Sequence, residues 1–230
     1  TTDTTHHSYY MHQLIKKYKK INFLVISEKN NSKSNKNNKL EFKTSLYEKK
    51  KWFNNKEIKL DDIIQNYKCN NINNKIIIKK LISFKPNLII CFGVSRIKKD
   101  FLNKINKNIY NLHGGNPEEY RGLDSHLWAI YHNDYDNLKV TLHKLEEKLD
   151  TGDIYKINKI KLTKNIKIQQ LRSITTDHCI SMSKHLIESY IKRKKIKLFR
   201  QNKIGRYYSS MPNQIKVSVI KKFNKYTSKI

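Results

Sequence analysis

Glycine and proline are scarce in this chain, 6 and 3 among 230 residues. That excludes a collagen-like repeat and a Pro-rich linker protein. Cysteine numbers only 3, odd and unpatterned, which excludes a disulfide scaffold. No apolar run approaches the roughly 20 residues that a membrane-spanning helix needs. Arginine is also rare: it supplies 6 of the 48 basic residues, so 42 are lysine. Acids number 19, and the formal net charge is +29. Such a charge attracts nucleic acid, anionic lipid and acidic substrates. Lys, Asn, Ile and Tyr crowd the chain, however, and all four are encoded by A/T-rich codons. That pattern points to compositional drift as the main source of the charge. Nucleic-acid readers lean on Arg for bidentate contacts, so the charge predicts nonspecific adhesion to RNA more than sequence readout.

The length suits one domain with appendages, or two small domains. Residues 1–7 are polar and lack the hydrophobic region of a secretion signal. A cytoplasmic location is expected, with Cys69, Cys91 and Cys179 as lone thiols. Residues 11–20 suit a short basic helix. Ile21-Asn22-Phe23-Leu24-Val25-Ile26 reads as a buried strand. Residues 28–39 form a polar Asn/Lys/Ser tract, expected as a loop. Residues 61–83 read as mainly helical. Residues 86–93 form a second buried strand that ends at Gly93, and a short helix follows over 98–103. Residues 109–113 form a third strand, running into Gly114-Gly115. Strand, helix, strand in this order is the pattern of a parallel α/β sheet. Residues 125–132 read as a helix, 139–145 and 154–162 as strands, and 166–191 as a long helix. No G-x-G-x-x-G and no G-x-x-x-x-G-K-[ST] is present, so a dinucleotide or P-loop site is not supported.

One window departs from the composition. Residues 111–155 carry four bases against nine acids, a net −5, which leaves +34 on the remainder. Gly114, Gly115, Gly122, Gly152, His113, His126, His132 and His143 all lie there. One reason for resisting the drift would be chemistry. Asn111 and His113, two apart on a strand, point to one face. Ligands of open α/β sheets bind beyond the carboxyl ends of the strands. An amide can donate to a developing oxyanion, and an imidazole can move a proton near neutral pH. Asp150, in a tight turn before Thr151-Gly152, can orient His113 or relay its proton. Amide, imidazole and carboxylate together suit acyl transfer through a tetrahedral intermediate. The plainer alternative is a packed strand-end histidine and a turn-forming aspartate.

The pieces Asn111-Leu112-His113, Pro117, Tyr120-Arg121-Gly122, Trp128-Ala129-Ile130, Val140-Thr141-Leu142-His143 and Leu149-Asp150-Thr151-Gly152-Asp153-Ile154 together resemble the folate-dependent formyltransferases. That family includes methionyl-tRNA formyltransferase and the sugar N-formyltransferases. The resemblance implies an α/β, Rossmann-like formyltransferase fold with a largely parallel central sheet flanked by helices, plus a short C-terminal extension. It divides the chain into a polar, basic extension over 1–20, a catalytic domain over 21–200, and the extension over 201–230. It implies 10-formyltetrahydrofolate as formyl donor and a primary amine as acceptor, with no metal. Asn111, His113 and Asp150 match the family's catalytic triad: oxyanion donor, general acid/base, and the carboxylate that holds the histidine or a water. Arg96, Ile97 and Lys98 fall in the loop that meets the folate. Glu146, Glu147, Lys148 and Leu149 fall in the loop that closes on the pterin.

Three departures bear on the acceptor. The family often has Ser-Leu-Leu-Pro after the histidine; here stand Gly114-Gly115-Asn116-Pro117. The glycine-rich phosphate loop of purine transformylases is missing, since residues 27–40 contain no glycine. Few residues follow Arg200, which argues against the full second domain of the tRNA enzyme. The segment Tyr207-Tyr208-Ser209-Ser210-Met211-Pro212 looks more like that of sugar formyltransferase-like members. A nucleotide-linked amino sugar is therefore the leading acceptor, and an aminoacyl-tRNA amine is the alternative. Among other readings, a metal hydrolase using His113, His126, His132, His143 and Asp150 lacks any H-E-x-x-H or C-x-x-C support. A basic RNA-binding module would use the Tyr and Lys clusters. An inactive folate binder is opposed by the intact triad. Membrane association is not expected, and oligomeric state is not legible.

Overall fold

The computed structural model describes residues 1–29, 39–105 and 108–230. Most of the tract 28–39, expected as a polar loop, lies outside the described residues. The first helix, α1 (Thr5–Lys17), buries His7, Tyr10, Met11 and Leu14 on one face, and Lys16 and Lys17 occupy its last turn. Apolar residues at helical spacing and cations near the C-terminal carbonyls both favour it. Strand β1 (Val25–Glu28) is buried along its whole length. After α2 (Lys39–Phe53) come a one-turn 3-10 helix at Leu60–Asp62 and strand β2 (Asn66–Cys69), which pairs in parallel with β1. Helix α3 (Lys75–Phe84) is capped by Asn74, whose side chain accepts from Ile76 N at 2.9 Å. Residues 61–83 therefore contain a strand where helix was expected. Asn66-Tyr67-Lys68-Cys69 is too short and too polar to set a period that stands out, although Tyr67 and Cys69 turn to the smaller core, and its pairing with β1 decides its state.

Strand β3 (Leu88–Phe92), helix α4 (Lys99–Ile105) and strand β4 (Asn108–His113) follow, with β3 and β4 parallel. Then come β5 (Tyr120–Gly122), α5 (Ser125–Tyr131), β6 (Lys139–Lys144), β7 (Ile154–Lys159) and the 21-residue α6 (Leu171–Ile191). The chain closes with β8 (Arg206–Tyr208) and α7 (Asn213–Thr227). The four-stranded sheet runs β3-β4-β6-β7; its β4–β6 and β6–β7 pairs are antiparallel, so this sheet is mixed. A short parallel pair joins β5 to β8.

Two apolar clusters hold these elements. The larger gathers Tyr110, Leu112, Ile130, Val140, Leu142, Met182 and Leu186 with Tyr10, Met11 and Leu14 of α1 and Val219 and Phe223 of α7. Both termini thus enter the main core, although the sequence reads them as extensions. The smaller joins Ile26, Ile77, Ile78, Leu81, Phe101 and Ile109. A cavity of about 760 Å³ lies between β1 and β3, lined by Val25, Ile26, Ile89 and Cys91 among others. Asn111, His113 and Asp150 do not line it.

The acids of the 111–155 window find their use largely in the fold. Glu118 accepts from Asn202 N at 2.6 Å, Glu119 pairs with Lys203 at 2.6 Å, and Asp124 accepts from Met211 N at 2.9 Å. Lys216 reaches Asp124 at 3.4 Å. These contacts fasten the segment 201–216 to the window.

Helix α6 is tied to α2 by Arg172. Its guanidinium donates to both oxygens of the fully buried Glu48, at 2.7 and 2.9 Å, and to Glu41 at 2.6 Å. Burial pushes the Glu48 carboxyl up, against the pull of Arg172. A bidentate pair of this kind leaves an uncompensated charge if one member is lost. Arg172→Met is expected to cost about 3–5 kcal/mol in urea unfolding, and adding Glu48→Met should recover much of the loss. A loss under about 1 kcal/mol for the single variant, the scale of an exposed pair, would show that Glu48 is not held this way.

Candidate active site

Strand β4 delivers Asn111 and His113 to one face, while Tyr110 and Leu112 alternate into the main core. In the antiparallel ladder Asn111 lies opposite His143 of β6, and His113 lies opposite Thr141. Cross-strand partners share a face, so His143 joins the same constellation. Asp150 arrives from the turn after β6, with φ at 55°. Aspartate is one of the few residues that tolerates this left-handed region. Its carboxylate is 5 % exposed.

Each carboxylate oxygen has its own partners. Oδ2 accepts from Gly122 N at 2.8 Å and lies 3.7 Å from His113 Nδ1. Oδ1 lies 3.5 Å from His143 Nε2 and 3.4 Å from Asn111 Nδ2. Asn111 Nδ2 is also 3.3 Å from His143 Nε2. The far nitrogen of each imidazole meets a backbone carbonyl: His113 Nε2 donates to Tyr120 O and His143 Nδ1 donates to Lys144 O, both at 2.8 Å. A carbonyl only accepts, so those nitrogens carry protons. The nitrogens that face Asp150 are the ones free to gain or lose one. Burial pushes the Asp150 carboxyl up, but His113, His143 and the Gly122 N–H outweigh it and hold the group well below the usual carboxylate range.

Two glycines make room. A Cβ on Gly115 would stand 2.7 Å from both His113 Nε2 and Ser125 Cβ. Gly115 therefore packs directly against the imidazole, whereas a Cβ on Gly114 would meet Thr175 and His126 at 3.7 and 3.8 Å. Gly122 has φ at 92°, and a Cβ there would stand 2.2 Å from Tyr208 O. Only glycine lets β5 close on β8 while its N–H serves Asp150.

The Asp150 turn is clamped from outside. Arg121 Nη1 donates to Leu149 O at 3.0 Å and Nε to Gly205 O at 2.7 Å. Gln201 Nε2 donates to Asp150 O at 3.0 Å and Gly152 O at 2.9 Å. The two loops named from the resemblance meet as well. Arg96 Nη2 donates to Glu147 O at 3.2 Å, and Lys99 Nζ lies 3.9 Å from Glu147 Oε2. Ile97 is buried, and Lys98 N donates to Asn73 Oδ1 at 2.7 Å. Glu146 and Lys148 are exposed beside them, with Leu149 half-buried. Ser95 N and Oγ donate to the buried Glu28 at 2.7 Å, which fixes the start of the first loop.

The remaining window histidines lie elsewhere. His126 Nε2 donates to Lys139 O at 2.6 Å, and burial pushes its pKa down to about 4. His132 meets the Tyr208 hydroxyl at 3.2 Å. Among the described residues no group of three or more His, Cys, Asp or Glu side chains is placed to hold a metal ion. Among the same residues no helix is long and apolar enough to cross a membrane.

The formyl transferase family profile matches residues 3–179. The chain belongs to the formyl transferase family. A methionyl-tRNA formyltransferase of Finegoldia magna is 29 % identical over 122 residues, covering 53 % of this chain and 38 % of that protein. The match thus spans well under half of that curated relative's length. The fold is shared with a 4-N formyltransferase of Francisella tularensis, at a TM-score of 0.61, 14 % identity, 90 % of this chain and 74 % of that one. It is shared too with WlaRD, a sugar 3N-formyl transferase crystallised with dTDP and 5-N-formyl-THF, at a TM-score of 0.55, 18 % identity, and 91 % and 67 % coverage.

His143, Gly122 and Gln201 are absent from the site residues named from sequence. For His143 a signal existed, because antiparallel pairing of the strand at 139–145 would set it beside Asn111. A depressed carboxyl pKa stabilises the fold above the unfolded value, and that stability is lost as pH falls toward the folded one. Asp150→Asn should therefore flatten the acid limb of the stability curve below about pH 4, measured by denaturant unfolding across pH. Superimposable acid limbs would show that Asp150 carries no such linkage.

Proposed function

We propose that this protein transfers a formyl group from 10-formyltetrahydrofolate to a primary amine, most specifically that of a nucleotide-linked amino sugar. The convergence of Asn111, His113 and His143 on one buried carboxylate carries this reading. In the reaction the acceptor nitrogen bonds to the formyl carbon, the bond from that carbon to the folate nitrogen breaks, and one proton moves from acceptor to folate. Asn111 donates an N–H to the oxygen that becomes negative. Its present contacts, at 3.3 and 3.4 Å, are long and weak. That is common in sites without substrate. His113 and Asp150 take the amine proton, on the imidazole face that has no obligatory hydrogen. His143 acts as a positioning residue that holds Asp150 and Asn111 from the opposite strand.

Several features support the donor. The loops at 96–98 and 146–149, which the resemblance assigns to the folate, are joined by the Arg96–Glu147 hydrogen bond, and the structurally similar WlaRD was crystallised with a formyl-folate. The sugar acceptor is supported by the segment 206–208, which pairs with β5 next to Asp150, and by the fold shared with a sugar formyl transferase. The curated relative with the tRNA activity favours a second acceptor, an aminoacyl-tRNA amine. Its discriminating test is formylation of aminoacyl-tRNA under salt that removes nonspecific binding.

Formyl transfer to dTDP-linked amino sugars should be lost in His113→Ala and Asp150→Ala, with the fold retained by circular dichroism. Asn111→Ala should slow turnover by roughly 10²–10³-fold, the loss typical of one oxyanion donor. Retained turnover in the folded histidine or aspartate variants, or an unchanged rate without Asn111, would remove these residues from the mechanism.

A further inference from the structure

We infer that Tyr207 is the platform on which the amine-bearing ring of the acceptor lies, a subsite for a pyranose-type sugar ring one residue from the catalytic carboxylate. The inference deepens the sugar reading above and rests on it.

The β5–β8 pair sets up the surface. Arg121 is in register with Tyr207, and Gly122 with Tyr208. Successive residues of a strand face opposite ways. Tyr208 turns inward, where its ring stacks on Trp128 at 5.0 Å and Tyr120 at 5.5 Å. Tyr207 therefore faces the other side, the side taken by its partner Arg121. The Arg121 side chain reaches Leu149 O there, immediately before Asp150.

The Tyr207 ring also lies against Gly122. A Cβ on that glycine would stand 2.8 Å from Tyr207 Cε2 and 3.1 Å from Cδ2. The same glycine donates its N–H to Asp150 Oδ2 at 2.8 Å. An aromatic ring thus sits on the backbone that holds the carboxylate. Tyr207 as a residue is 54 % exposed. Among the described residues it stacks on no other ring, and its hydroxyl has no hydrogen-bond partner. Its neighbour one position on spends its ring in packing, whereas Tyr207 leaves a face open. Such a residue offers a rigid, amphipathic contact at low entropic cost, and the strand pairing locks its backbone.

Position selects the ligand moiety. In the proposed reaction the reacting nitrogen comes to His113 and Asp150, and Tyr207 lies against Gly122, whose N–H binds that carboxylate, so a group seated on Tyr207 neighbours that nitrogen. In a nucleotide-linked amino sugar that moiety is the sugar itself, because the base stands off beyond the diphosphate. The apolar face of a hexose matches the face of a phenol ring.

The test measures binding, so it does not depend on turnover. The wild-type chain, Tyr207→Ala and Tyr207→Phe would be titrated calorimetrically with dTDP-3-amino-3,6-dideoxyglucose and with dTDP alone, each with 5-formyltetrahydrofolate present. Tyr207→Ala should weaken the sugar nucleotide roughly tenfold, the scale of one aromatic contact, with dTDP affinity unchanged. Tyr207→Phe should bind as wild type. Equal sugar-nucleotide affinity in the alanine variant, no sugar-nucleotide binding by wild type, or an equal loss for dTDP would overturn the subsite. A tenfold loss in a protein that transfers no formyl group would uphold the subsite and sink the proposed reaction instead.

Discussion

A carboxylate buried between two imidazoles is the constraint around which the C-terminal half of this protein is arranged. Alone, an ionised Asp150 at that depth would be costly. It is kept charged by one backbone N–H and by His113 and His143, each with its far nitrogen bound to a carbonyl. The orientation of both rings is therefore set by the backbone, not by the carboxylate they serve. The variable proton is confined to the region around Asp150. A cluster built this way is preorganised, so in the reaction proposed above it would need little rearrangement.

The surrounding architecture follows from that need. Gly122 must donate to Asp150, so β5 must hold a fixed place, and it does so by pairing with β8. Strand β8 lies far along the chain, and the acids Glu118, Glu119 and Asp124 retain the segment that carries it. Arg121 and Gln201 then clamp the Asp150 turn from two directions. Three of the nine acids of residues 111–155, Glu118, Glu119 and Asp124, thus dock residues 201–216. Asp150 alone among the nine lies against His113 and His143. The positive charge of the remainder is spread over lysines and is consistent with drift in composition.

The strands at 88–92, 108–113, 139–144 and 154–159 and the helix at 171–191 were legible in the sequence, because each carries enough apolar residues to set its own period. Asn111, His113 and Asp150 were legible through motif resemblance and through the rule that residues two apart on a strand share a face. Strand β2 was not, since Asn66-Tyr67-Lys68-Cys69 acquires its state from pairing with β1. His143 was visible as a strand residue, but its place opposite Asn111 depends on antiparallel register. Gln201 carries no local signal, and Tyr207 was visible only as part of the Tyr207–Pro212 segment; their places beside the Asp150 turn and Gly122 exist only because this segment returns to β5.

The sequence by itself determined the alternation that sends Asn111 and His113 to one face, the glycines that admit the imidazole and the Asp150 contact, and the family. These depend on local sterics and side-chain identity. Tertiary structure alone decided that both chain ends belong to the main core, that His143 and Gly122 share the carboxylate with His113, and that Tyr207 stands open beside it. Those outcomes rest on pairing between segments tens of residues apart, which the local chain does not encode.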